Sequence, residues 1–163
     1  MKNLLVLRHA KSSWENAELS DFERPLNKRG LETIQVIGQE FFRLNLQIDL
    51  ILSSPAKRAK QTAILVKESG GLACEICYED GIYEASVMKL SHIISKIDDK
   101  YNHVLLVGHN PGLEELIRVI SGKTQVMPTA TLVKLDLEIE SWSKISAKCG
   151  KLDFAITPSE LKK

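Results

Sequence analysis

A chain of 163 residues with 44% apolar and 26% charged side chains can bury a core of its own, and reads as one globular domain over residues 1–163. Its formal net charge of +1 excludes a broad nucleic-acid or membrane footprint, so any anion it binds must be gripped by a few placed cations. Residues 1–8 are too short for a signal peptide, no apolar run approaches the roughly 20 residues of a bilayer span, and three cysteines without a framework fit a reducing cytoplasm.

Leu4-Leu5-Val6-Leu7 is apolar throughout, as a strand buried on both faces of a parallel sheet is. It ends in Arg8-His9-Ala10-Lys11-Ser12, and residues 9–25 then show no periodicity. Asn27 offers an N-cap, with Leu26 placed to staple onto Leu31, for a helix whose apolar stripe is Ile34, Ile37, Phe41 and Leu44. A second buried strand, Leu50-Ile51-Leu52, runs into Ser53-Ser54-Pro55. The next helix should begin at Pro55 and pass through Ala59, Ala63 and Val66 to a Gly70-Gly71 stop. Cys74-Glu75-Ile76-Cys77 reads as a strand whose cysteines are small apolar residues. A zinc site would want a second ligand pair, and only Cys149 is left over.

A third helix covers about residues 87–97, with Leu90, Ile93 or Ile94, and Ile97 inward. Val104-Leu105-Leu106-Val107 is again a buried strand, ending in Gly108-His109-Asn110-Pro111-Gly112. A fourth helix starts at Pro111, carries Leu113, Leu116, Ile117 and Ile120, and stops at Gly122. Beyond Pro128 the period becomes two. Leu135, Leu137 and Ile139 alternate with polar neighbours, as do Leu152, Phe154 and Ile156, which marks half-exposed strands at an edge or antiparallel. The sum is an α/β fold, a three-layer α/β/α sandwich around a mostly parallel sheet.

Open sheets of this kind bind ligands beyond the carboxyl ends of their strands. Three strand ends there can share one crevice, bringing two imidazoles (His9, His109), two guanidiniums (Arg8, Arg58) and two helix starts, at Ser54-Pro55 and Asn110-Pro111. Helix starts present unpaired N–H groups, and arginine forks match phosphate oxygens, so the crevice suits a dianion, phosphate above all. A neutral imidazole can attack phosphorus. Arg8, Arg58 and a protonated His109 would supply the positive charge that a metal supplies elsewhere. No Asp/Glu/His set has metal-ligand spacing, and no cofactor is expected. His92 and His103 read as ordinary helix and strand-edge residues. Lys11, Lys57 and Lys60 read as solvated, or as a positive rim for a protein partner.

These blocks resemble the histidine phosphatase superfamily. Leu7-Arg8-His9-Ala10 is similar to its Arg-His-Gly signature, while Ser53-Ser54-Pro55, Arg58-Ala59, Gln61-Thr62-Ala63 and Gly108-His109-Asn110-Pro111 resemble its second and third blocks. Residues 21–30 and the absence of long insertions resemble the short SixA-like phosphohistidine phosphatases. The resemblance implies a phosphoglycerate mutase-like fold and no metal. It makes His9 the phosphoryl acceptor, clamped by Arg8, Arg58 and His109, with Ser12 and Asn110 as further substrate contacts. Glu84 or Asp21 would be the general acid. Arg24 would touch phosphate or a partner, unless it simply pairs with Asp21. The glycine usual after the acceptor is Ala10 here, whose methyl could crowd a close backbone approach. The implied substrate is a phosphohistidine-carrying protein. The alternatives are a small-ester phosphatase or phosphomutase with the same nucleophile, and a phospho-binding module without turnover.

Overall fold

A computed structural model describes residues 1–161. Strand β1 (Lys2–Arg8) lies between β4 (His103–Gly108) and β5 (Leu132–Leu137). β2 (Leu50–Ser53) and β3 (Glu75–Tyr78) continue the sheet beyond β4, and β6 (Gly150–Ile156) lies beyond β5. The order β3-β2-β4-β1 is parallel throughout, while β5 runs antiparallel to β1 and β6 antiparallel to β5. The unbroken apolar runs have their reason here. Leu4 to Leu7 pair in register with Val104 to Val107, and side chains of both faces are buried.

One face packs Leu4, Val6, Val104 and Leu106 against Leu90 and Ile94 of α3 (Val87–Ser95) and Leu113 and Ile117 of α4 (Gly112–Ser121). The other packs Leu5, Leu7, Leu105 and Val107 against Ile34, Ile37 and Phe41 of α1 (Lys28–Arg43) and Ala59, Ala63 and Val66 of α2 (Lys57–Gly70). Helices on both faces of a mostly parallel sheet give the three layers read from the pattern. The alternating segment at 132–137 also behaves as read. Leu135 and Leu137 are buried, while Lys134 bridges Asp136 (2.7 Å) and Asp153 (2.8 Å) at the surface. A short helix α5 (Pro158–Leu161) follows β6.

Several boundaries differ from expectation. The second helix opens at Lys57, not Pro55, because Ser54 Oγ accepts from the Ala56 N–H and holds residues 54–56 outside the helix. The fourth opens at Gly112, with Pro111 at the cap position and Asn110 Oδ1 accepting from the Glu114 N–H. Helix α3 ends at Ser95, two residues short of Ile97. Asn27 caps α1 as expected, its Oδ1 accepting from Gly30 N–H at 2.7 Å. Leu44 falls beyond that helix, however, and Leu31 is 38% exposed while Leu26 is buried, so no buried staple forms. Among the described residues no helix is long and apolar enough to cross a membrane.

Candidate active site

The end of β1 is fixed by its neighbours before any side chain is considered. His9 N–H donates to the Gly108 carbonyl (3.1 Å), Arg8 N–H to Thr131 O (3.1 Å), and Ala130 N–H to His9 O (3.0 Å). Ala130 adopts φ +61° to turn its amide onto that strand end. One residue on, Ala10 N–H donates to Thr62 Oγ1 (3.0 Å), whose own hydroxyl donates to Arg58 O (2.7 Å). The Ala10 methyl is fully buried in the core cluster that also holds Ala59 and Ala63, and it does not line the cleft beside His9.

This backbone sets the state of the His9 ring. Nδ1 lies 2.8 Å from the Ala10 carbonyl oxygen, which can only accept, so Nδ1 carries the hydrogen and Nε2 keeps its lone pair. Arg58 Nε–H points at Nε2 from 3.4 Å. The His109 ring lies 5.1 Å from the His9 ring, and its Nε2 meets Ser54 Oγ at 2.8 Å. Around them opens a cleft of about 410 Å³ lined by Arg8, His9, Lys11, Ser12, Trp14, Asp21, Arg24, Arg58, His109, Asn110 and Thr129. Buried Arg8 Nε and His109 Nδ1 have no protein partner among the described residues. The Arg8 Nε–H is a donor in any state, whereas the neutral His109 ring donates at Nδ1 only where Nε2 accepts from the Ser54 hydroxyl.

The arginines are held from behind. Arg58 donates through Nη1 to Asp21 O (2.7 Å) and through Nη2 to Asp21 Oδ2 (3.1 Å), leaving Nε on the His9 side. Arg24 binds Asp21 Oδ1 (3.1 Å), Ser12 Oγ (2.6 Å) and Ser13 O (3.0 Å). Tyr83 hydroxyl donates to Asp21 Oδ2 (2.6 Å), and its ring stands edge-on to His109. Arg8 Nη1 donates to Met127 O (3.0 Å), and Asn110 bridges Met127 O and Glu114 Oε2.

Burial and these cations decide the protonation states. His9 is lowered to about 4, first by desolvation and then by Arg58, Arg8 and Arg24, against the opposing Ala10 carbonyl bond. His109 falls to about 3, again first by burial, with His9 and Arg58 adding repulsion. Both rings are therefore neutral near pH 7. The expectation of a protonated His109 is corrected for the free site, where a buried imidazolium would face Arg58 and Arg8. Asp21 is held at about 2, chiefly by the Tyr83 hydrogen bond and then by Arg58 and Arg24, so it carries no proton to give at neutral pH and is removed as a general acid.

Eight of the nine residues singled out in the sequence therefore line one cleft: Arg8, His9, Ser12, Asp21, Arg24, Arg58, His109 and Asn110. Glu84 does not. It is exposed, sits at φ +54°, and lines a neighbouring pocket of about 390 Å³ that shares only His109 and Asn110 with the first. Arg24 and Ser12 are bound to each other, which favours the Asp21–Arg24 pairing over a free phosphate contact. The sequence reading missed Tyr83, Thr62, Trp14, Thr129 and the 127–131 segment. Thr62 lay inside a quoted block and Trp14 in the loop just after His9, but Tyr83 and the 127–131 segment carry no local signal, since they reach the site from far along the chain. Among the described residues no group of three His, Cys, Asp or Glu side chains is disposed to hold a metal ion.

Comparison with known proteins follows this geometry. Residues 4–105 match the family model described as histidine phosphatase superfamily (branch 1). An uncharacterized chloroplastic protein of Arabidopsis thaliana is 29% identical, covering 96% of this chain and 78% of the relative. Among solved structures, a protein of Agrobacterium tumefaciens given the name phosphohistidine phosphatase SixA superposes with TM-score 0.83 and 27% identity, covering 96% of this chain and 98% of that one. A protein histidine phosphatase SixA complexed with tungstate has the same fold at TM-score 0.83 and 21% identity, covering 98% and 99%. The family match spans the strand end that bears His9 and the helix that bears Arg58, and on it the chain belongs to the histidine phosphatase superfamily.

Proposed function

We propose that this protein is a phosphatase that takes a phosphoryl group onto His9 Nε2 and passes it to water, and that its substrate is phosphohistidine on a protein. The carrying observation is the His9 ring, neutral, with Nδ1 tied to Ala10 O and the Nε2 lone pair on the side of a cationic cleft, met only by the long 3.4 Å contact from Arg58 Nε–H. In the first step a bond forms between Nε2 and phosphorus while the bond from phosphorus to the substrate nitrogen breaks. The leaving imidazole departs neutral after taking a proton on its far nitrogen. In the second, water adds its oxygen to phosphorus, releases a proton, and frees His9. Arg8, Arg58 and His109 line the cleft around His9, so two guanidiniums and an imidazole surround the phosphoryl oxygens. The positive charge that develops on His9 is met at Nδ1 by the Ala10 carbonyl.

The substrate class rests on chemistry and access. An alcohol leaves as a strong base unless a placed acid protonates it, whereas phosphohistidine, whose ring titrates near 6.5, can take a proton from solvent on its far nitrogen and leave as neutral imidazole. With Asp21 ionised and Glu84 in the next pocket, the cleft is better furnished for phosphoramidate than for ester cleavage. The rim also carries exposed aromatic surface suited to a protein: Trp14 is 78% and Phe22 40% exposed, and Trp14 lies flat over Arg24 at 3.2 Å. The SixA-type structures support the same class.

The test is kcat/KM for a phosphohistidine-carrying protein against sugar phosphates and phosphoglycerates, in wild type and His9→Ala. Turnover should vanish in His9→Ala, and quenched wild type should carry an acid-labile phosphoryl group. Glu84→Gln should leave phosphohistidine hydrolysis unchanged, since Glu84 lines the next pocket. Full activity in His9→Ala ends the nucleophile assignment. A wide margin for a small ester replaces the protein substrate with the small-ester alternative.

A further inference from the structure

Beside the catalytic cleft lies a second cavity, of about 260 Å³, lined by Lys11, Arg29, Thr33, Thr129, Thr157 and Ser159 with two prolines. It shares Lys11 and Thr129 with the His9 cleft, so the two are compartments of one groove. Its lining holds two cations and no carboxylate, and among the described residues neither Lys11 nor Arg29 is in an ion pair. The nearby Glu160 carboxylate already accepts from Thr157 Oγ1 at 2.9 Å.

The juxtaposition of the two cations is built into the backbone. Lys11 O accepts from Asn27 N–H (2.9 Å), and the start of α1 presses so closely on Lys11 that a Cβ on Gly30 would stand 2.2 Å from Lys11 O. Only glycine allows that approach, and it brings Arg29 to the flank of the loop that carries Lys11. Lys11 in turn follows His9 by two residues, a separation of at most about 7 Å between Cα atoms.

We propose that this cavity is a second anion subsite, which takes a carboxylate of the substrate lying one or two residues from the phosphorylated side chain. The distance argument is symmetrical, because two residues of extended substrate span the same 7 Å or so as His9 to Lys11. The hydroxyls of Thr33 and Thr129 can add neutral hydrogen bonds around the carboxylate, while the Thr157 hydroxyl is committed to Glu160. The proposal rests on the phosphoprotein reading above and deepens it, since it selects among phosphoproteins by their acidic flank.

The test is direct binding of non-hydrolysable phosphonate peptides, one flanked by glutamates and the other by glutamines, to wild type, Arg29→Lys and Arg29→Glu. Exposed ion pairs are modest, so the acidic flank should tighten binding by about fivefold at low salt and less at high salt. Arg29→Lys should keep the preference. Arg29→Glu, which sets a carboxylate beside Lys11, should abolish it. Folding is not at risk, because an acidic residue is favourable in the first turn of α1. Hydrolysis of a small ester without a second anion should be unchanged in Arg29→Glu. An equal affinity for both peptides, or a preference that survives Arg29→Glu, overturns the subsite. Binding preference without phosphohistidine turnover would instead keep the subsite and remove the proposed substrate.

Discussion

Asp21 grips Arg58 through both its main-chain and its side-chain oxygen, and Arg24 through the other carboxylate oxygen. A carboxylate held at about 2 that orients the guanidinium next to His9 is a positioning residue. The two roles leave different signatures. A proton donor creates a basic limb in the pH profile that moves on substitution, whereas a positioning group lowers the plateau and leaves the limbs in place. Asp21→Asn should therefore reduce kcat/KM on the order of tenfold, below the roughly 10²–10³ of losing an oxyanion donor outright, without moving either limb. The acidic limb belongs to His9, which must be neutral to attack, so activity should fall as pH drops through about 4. Stability has the same sign. Both histidines titrate near 6.5 when unfolded and well below that when folded, so the unfolded chain binds more protons between about 6.5 and 4. Urea midpoints should fall as pH is lowered across that window, and His9→Gln should flatten part of the slope. A midpoint that rises on acidification would contradict the buried neutral rings.

At the scale of elements, α2 is the part that joins fold to site. It delivers Arg58 to the cleft, and one turn later Thr62 Oγ1 ties both Arg58 O and Ala10 N–H. That single buried hydroxyl holds the N–H of Ala10, the residue whose carbonyl fixes the His9 tautomer. Thr62→Val keeps the shape and the β-branch but leaves the Ala10 N–H unpaired, which should cost about 1–3 kcal/mol. The measurement is a urea titration in which the midpoint falls and the m-value holds, with a parallel loss in kcat. Unchanged stability would mean that water or another group takes over the amide. The sequence made α2 legible because Ala59, Ala63 and Val66 mark its buried face and Gly70-Gly71 its end. Its first residue was not legible, since Ser54 Oγ diverts the Ala56 amide. β1 and β4 were read from their unbroken apolar runs, and β5 from its period of two. The segment at 127–131 was hidden. Its φ +61° residue is an alanine, and it closes on Arg8 and His9 across some 120 positions of chain, a contact no local pattern announces. Glu84 illustrates the converse: its place in the chain suggested the cleft, and a turn at φ +54° puts it in the next pocket.

The whole molecule is nearly neutral, yet the cleft lining carries Arg8, Lys11, Arg24 and Arg58 against the single carboxylate of Asp21. Charge that would be unremarkable in the average is concentrated at the carboxyl ends of β1, β2 and β4, where the topology gathers residues distant in sequence. Partly dehydrated walls strengthen such a field, so a small number of cations can hold a dianion without a basic surface. This bears on metal use. Phosphoryl transfer asks the protein for position and for positive charge on the equatorial oxygens. Here the Arg58 and Arg8 guanidiniums that line the cleft can supply that charge from within the chain. A divalent ion would instead need a set of carboxylates or imidazoles. The one carboxylate of the lining is already shared by two arginines and a tyrosine, and each imidazole has one nitrogen engaged, His9 Nδ1 by Ala10 O and His109 Nε2 by Ser54 Oγ. Hydrolysis should therefore survive exhaustive treatment with EDTA, with kcat unchanged within error, and added Mg²⁺ should not raise it. Raising ionic strength should weaken substrate binding, because the cations face an open cleft and salt screens them. Activity lost on chelation and restored by Mg²⁺ or Zn²⁺ would show that the arginines do not carry the charge alone, and would redirect the mechanism to an ion held between Asp21 and the bound phosphate.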